Sequence, residues 1–109
     1  MKIQDVRTHL LTARWADDPF FPPLLHTTAF VEIKTDSELA GVGETILGYF
    51  VPEAVAPLVE FYRPLLLDED PERIGAIWDR LYTASSYWGR TGAALSVLSA
   101  IDIALWDLK

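Results

Sequence analysis

The hydrophobic and polar positions change period half-way along the chain. Over residues 27–35, Ala29, Val31 and Ile33 share one face while Phe30, Glu32 and Lys34 share the other, which is the period-two alternation of a half-buried strand. Ile3 to Ala13 mixes β-branched and polar residues with no helix cap and reads as an earlier strand. Asp36-Ser37-Glu38 is turn chemistry, and Leu39 to Ile46 resumes as a third strand containing Gly41 and Gly43. Glycine inside a strand marks a bulge or a close backbone approach. Residues 1–48 are therefore predicted to form a three-stranded antiparallel β-meander closed by a hairpin. Between its first two strands lies Trp15 to His26, which carries three prolines and is far longer than the roughly two to five residues of a hairpin connection. It is also apolar, through Trp15, Phe20, Phe21, Leu24 and Leu25, and so has the character of a lid or binding loop.

The second half keeps helical spacing. Ala54, Val55, Leu58, Val59 and Tyr62 follow one stripe. Pro57 requires that this helix either kinks or starts at Ala56, and Pro64 is expected to end it. Asp70 as N-cap, Pro71 in the first position and Glu72 in the first turn predict a helix from Pro71 to about Ala84, with Ile74, Ile77, Trp78, Leu81 and Tyr82 facing inward. The acidic run Asp68-Glu69-Asp70 reads as complementing that helix's dipole. Ser85 to Gly89 is a break, after which Thr91 can cap a last helix from Gly92. That helix carries apolar residues in nearly every direction, from Ala93 and Leu95 to Trp106 and Leu108. A helix apolar all round must be covered all round. It also lacks a C-cap, so the chain reads as cut in mid-helix; the other reading is a natural terminus whose apolar helix pairs with a second copy. Asp102 and Asp107, about 140° apart around its axis, make no ligand pair and are each expected to hydrogen-bond a partner.

Composition narrows the function. Half of the 109 residues are hydrophobic, which excludes intrinsic disorder, and a net charge of −7 argues against nucleic acid as a partner. With no cysteine there is no disulfide framework or thiolate site, and with no signal peptide or membrane-length apolar run the expected setting is cytoplasmic, away from the membrane. No catalytic constellation is present. Gly41-Val42-Gly43 lacks the third glycine of a nucleotide loop, and no nucleophile elbow or metal-binding motif occurs. His9 reads as a structural strand residue. His26, at the loop's end, is either structural or faces a ligand. Glu44, beside the two glycines, either faces a site or pairs with Arg7 or Arg14 across the sheet.

The run Ser99-Ala-Ile-Asp-Ile-Ala-Leu-Trp-Asp-Leu-Lys109 resembles the passage from cap to barrel in enolase-superfamily enzymes of the mandelate racemase/muconate lactonizing type. Gly41-Val-Gly-Glu-Thr45, Asp70-Pro71 and Tyr87-Trp-Gly-Arg-Thr-Gly92 are similar to the same family's capping domain. The resemblance implies an α+β fold: the meander followed by a layer of about three helices, with the barrel domain absent. Residues 1–91 would be the capping domain, its sheet in 1–48 and helices in 52–84, and residues 92–109 would lead toward a missing TIM barrel. It further implies an N-terminal substrate-capping domain of an enzyme that removes the α-proton of a carboxylate substrate, with the enediolate stabilised by Mg²⁺ held on the missing barrel. Racemase, sugar-acid dehydratase and cycloisomerase outcomes all fit. This fragment would hold neither metal nor catalytic residues and would be inactive alone. Its partners would be its own barrel and the substrate, in what is commonly a homo-oligomer. The family's two lid loops fall at about Trp15 to His26 and Gly48 to Pro52. The substrate-facing candidates are therefore Trp15, Phe20, Phe21, Leu24, His26, Tyr49 and Phe50. The alternative class is a self-contained acidic α+β domain that homodimerises through its last helix and binds a partner or apolar ligand.

Overall fold

The structure, a computed structural model, describes residues 1–14 and 25–109. Strands β1 (Ile3–Arg14), β2 (Leu25–Thr35) and β3 (Ala40–Thr45) form one antiparallel sheet in the order β1-β2-β3, as the alternation predicts. Opposite Val31 lie Thr8 on β1 and Gly43 on β3, with one register shift between Ile3 and Asp5. The hairpin at Asp36–Glu38 closes through the Thr35 N–H donating to the Leu39 carbonyl at 3.2 Å. Helices follow: a single turn α1 (Leu47–Phe50), a 3-10 turn (Pro52–Ala54), then α2 (Val55–Leu66), α3 (Ile74–Ser85) and α4 (Ala93–Leu108).

The helices cover the sheet face that carries Val6, Ala29, Val31 and Ile33, and these join Val59, Tyr62, Leu81, Leu98 and Ile101 in one core. Within it the Tyr62 hydroxyl donates to Ser85 Oγ at 2.8 Å, and Ser85 Oγ donates to the Leu81 carbonyl at 3.0 Å. The deeply placed phenol is thereby satisfied, and burial raises its pKa. On the opposite sheet face, His9 Nε2 lies 3.1 Å from Glu32 Oε1.

The glycines of β3 mark a close approach, with no bulge between β2 and β3. A Cβ on Gly43 would collide with the Ala100 carbonyl oxygen, and one on Gly41 with that of Ala104. A strand advances about 6.7 Å per two residues and a helix about 6 Å per four. The alternating residues Thr45, Gly43 and Gly41 therefore keep pace with Ser96, Ala100 and Ala104, which occupy successive i+4 positions on α4. Asp107 Oδ2 accepts the Val42 N–H at 2.9 Å, so α4 also closes part of β3's free edge. Asp102 differs from its expectation: it makes no hydrogen bond among the described residues. It lies half-buried on α4, where solvent still reaches it, and burial pushes its carboxyl above the usual range.

Several helix boundaries depart from the sequence reading. Helix α2 starts at Val55, directly after the 3-10 turn, and Pro57 is tolerated because its first turn needs no N–H at that position. Pro64 does not end α2; the helix runs to Leu66 and closes with the Leu67 N–H on the Arg63 carbonyl. Asp70 and Pro71 precede α3 rather than opening it. Asp70 Oδ1 accepts the Glu72 N–H at 3.0 Å and its carbonyl accepts the Arg73 N–H at 3.1 Å, so these residues are spent on a turn. The acidic run likewise serves other contacts: Ile3 exchanges backbone hydrogen bonds with Asp68 and Glu69, and Glu69 pairs with Arg80. Thr91 does not cap α4, whose N-cap is Gly92 at φ 74°, a conformation that suits glycine. Glu44 makes no ion pair with Arg7. It sits opposite Phe30 on β3, with β2 lying between it and β1, and Arg7 instead binds Asp5 at 2.7 Å.

Asp5 also accepts from Arg63 at 2.8 Å, tying β1 to α2. Arg63 and then Arg7 hold its carboxyl down at about 2, against the opposing effect of burial.

Two outcomes follow from this packing. Gly43→Ala is expected to lower stability by about 2–3 kcal/mol in chemical denaturation, because the obstacle is helix backbone and no rotamer can turn aside. Asp5 has a depressed pKa, so its contribution is complete above the unfolded value of about 3.9 and is lost as pH falls from about 4 toward 2. Asp5→Asn should therefore cost about 1 kcal/mol at pH 7, allowing for solvent screening, and most of the difference from the parent should be gone by about pH 2 in acid titrations followed by circular dichroism.

Candidate functional site

Two segments distant in sequence meet at the end of the sheet where β2 begins. His26, on β2 opposite Ala13, meets Tyr49 of α1 edge to face with ring centroids 4.6 Å apart. Phe50 packs on Tyr49 in the same manner at 4.9 Å. Both α1 rings are largely exposed, Tyr49 at 51% and Phe50 at 69%, and Ile46 and Val51 beside them are exposed as well. None of these residues belongs to the core. Of the sequence-predicted lid residues, then, the structure brings His26, Tyr49 and Phe50 together. Trp15, Phe20, Phe21 and Leu24 lie outside the described residues.

The segment expected as a loop from Gly48 to Pro52 is instead one helical turn followed by a 3-10 turn. Its position is fixed by residues that the sequence did not single out. A Cβ on Gly48 would come within 2.5 Å of both the Cβ and the backbone nitrogen of Ala29, so only glycine lets α1 lie this close on β2. Thr45 Oγ1 accepts the Leu47 N–H at 3.2 Å and shares a 2.6 Å hydrogen bond with Ser96 Oγ of α4. A hydroxyl residue two positions before a turn is a legible local signal; its partner on α4 is not.

A second surface lies on α4. Its core-facing residues Val97, Leu98, Ile101 and Leu105 are buried, whereas Ile103 and Trp106 are 50% and 58% exposed. With half-buried Ser99 and Asp102 they form an i, i+3, i+4, i+7 stripe. The apolar girth of α4 is thus only partly covered by the described residues. Lys109 Nζ stands 5.5 Å from the centre of the Trp106 ring.

The donor set among the described residues does not fit metal chemistry. Among the described residues no group of three or more His, Asp or Glu side chains is placed to hold an ion. None of the described helices is long and apolar enough to cross a membrane.

An antiparallel three-stranded sheet followed by a layer of helices is the α+β arrangement of the enolase-type N-terminal capping domain. Residues 25–109 match the N-terminal domain of the mandelate racemase / muconate lactonizing enzyme family, and the chain belongs to that family within the enolase superfamily. The D-galactarolactone cycloisomerase of Agrobacterium fabrum is 43% identical, over 100% of this chain and 29% of its own length. The arabinonate dehydratase of Saccharolobus solfataricus is 42% identical over 71% of this chain and 21% of its own. A solved racemase from Streptomyces coelicolor A3(2), with bound magnesium, superposes with a TM-score of 0.80 at 35% identity, over 97% of this chain and 31% of that one. The chain thus spans less than a third of the length of these relatives.

Proposed function

We propose that this chain is the substrate-capping and specificity domain of a Mg²⁺-dependent enzyme that removes the α-proton of a carboxylate substrate, as a racemase, sugar-acid dehydratase or cycloisomerase. The observation that carries the proposal is the convergence of His26, Tyr49 and Phe50 into an exposed aromatic cluster that the core does not use. The relatives support the reaction class: one is a cycloisomerase, one a dehydratase, and one a racemase holding magnesium.

In this reading the metal and the base belong to the barrel, as the family resemblance implies, and a racemase among the structural relatives holds magnesium. The barrel also covers the Ile103 and Trp106 stripe of α4. The contribution of this chain is physical. Aromatic rings closing over a barrel mouth exclude water and strengthen the electrostatics beneath them. They sort substrates by the shape and apolar contact of the end remote from the carboxylate; Trp15, Phe20, Phe21 and Leu24, outside the described residues, are substrate-facing candidates on the family resemblance alone. Without the barrel the chain binds no metal and turns over no substrate. A chain without cysteine suits a reducing cytoplasmic setting.

In the complete enzyme, Phe50→Ala and Tyr49→Ala should each change the ratio of kcat/KM between arabinonate, D-galactarolactone and mandelate by about tenfold, the scale of losing apolar contact in a substrate pocket. Thermal stability should change little, since both rings are exposed. Ratios within twofold of the parent, measured across that panel, would remove the turn from the site. Phe20→Ala and Phe21→Ala are expected to behave in the same way.

A further inference from the structure

Helix α1 is too short to hold itself together. A single turn of four residues fixes its backbone for very few hydrogen bonds, and isolated helices need about 12–15 residues even to be marginal in water. Its N-cap, Ile46, supplies no side-chain cap. Its order must therefore come from neighbours, and the structure shows which. Gly48 rests on Ala29 of β2, Tyr49 rests on His26, and the first helical amide, Leu47 N–H, is held by Thr45 Oγ1.

Thr45 is the informative member of this set. It is 3% exposed, at the last position of β3, and its hydroxyl has two partners: the Leu47 amide at 3.2 Å and Ser96 Oγ at 2.6 Å. A hydroxyl has one proton and two lone pairs, so it can accept from the amide and still share a bond with the serine. Ser96 lies on the first turns of α4, on the same i+4 row as Ala100 and Ala104, which seat the two β3 glycines. A chain of direct contacts therefore runs from α4 through two hydroxyls to the turn that presents Tyr49 and Phe50.

The geometry points to Thr45 and Ser96 as positioning residues for substrate selection: they lock the aromatic turn to α4, so the height of Tyr49 and Phe50 over the substrate follows the seat of that helix. This inference rests on the turn facing the substrate, as proposed above. Neither hydroxyl touches substrate; each acts through α1.

The test is made in the complete enzyme with Thr45→Val, Ser96→Ala and the conservative variant Thr45→Ser, alongside Phe50→Ala. Amide hydrogen exchange over residues 46–51 reads the order of the turn without reference to catalysis. The ratio of kcat/KM for arabinonate, D-galactarolactone and mandelate reads selection. The expected result is that Thr45→Val and Ser96→Ala each speed exchange at Leu47 and Tyr49 at least tenfold and shift the ratios in the same direction as Phe50→Ala, while Thr45→Ser keeps both within about twofold of the parent. Parent-like exchange in Thr45→Val and Ser96→Ala overturns the inference. So does a lowered Tm with unchanged ratios, which is what a merely structural pair of hydroxyls would give. In both of those cases a shifted ratio in Phe50→Ala leaves the substrate-facing turn standing. If Phe50→Ala itself leaves the ratios unchanged, the substrate-facing reading fails and the positioning role fails with it.

Discussion

The contact on which the molecule turns is the seat of α4 on β3. Two glycines on one face of the strand admit two carbonyl-bearing turns of the helix at a distance that any side chain would forbid. The seat works because the repeat of alternate strand residues nearly matches the repeat of every fourth helix residue, so the two rows stay in step along the contact. Once the helix lies there, its other faces are determined. Val97, Leu98, Ile101 and Leu105 point into the core against β2 and α3. Ile103 and Trp106 point outward. Asp107 reaches back to the Val42 amide, and Ser96 meets Thr45 at the far end of the row. The exposed stripe follows from this helix–strand contact, and the aromatic turn, seated on Ala29 and His26 of β2, is joined to it through Thr45 and Ser96.

The broad fold was legible because its signals are periodic. Alternation placed Ala29, Val31 and Ile33 in the core, and the i, i+4 stripe placed Ile74, Ile77 and Leu81 there. The glycines of β3 left two readings open, and the small residues facing them on α4 decide for close approach. Boundaries were less legible because the same residue types serve turns and caps alike. Asp70 spends its carboxylate on a turn before α3, and α4 starts on the backbone freedom of Gly92 rather than on Thr91. Pro64 is tolerated in the last turn of α2, where it was expected to stop the helix.

The candidate site was legible in its parts and not in its assembly. The end of the apolar loop singled out His26 and the family resemblance singled out Tyr49 and Phe50, but nothing local states that β2 and α1 bring them edge to face. Gly48, Thr45 and Ser96 were missed altogether, because a glycine's value lies in the Ala29 beneath it and a hydroxyl's value lies in a partner 51 positions away. The ion pairs followed the same rule: Asp5 found Arg63 on a different element, a pairing that strand register alone does not announce.

The proposed capping role acts through shape and water exclusion, and it stands on where the aromatic turn sits relative to substrate. The most direct measurement is a crystal structure of the complete enzyme with a bound, unreactive analogue of its carboxylate substrate. The account predicts the Tyr49 or Phe50 ring in van der Waals contact, about 4 Å, with the end of the ligand remote from its carboxylate, and Ile103 and Trp106 covered by the barrel. A ligand enclosed without contact to residues 46–51 would contradict it.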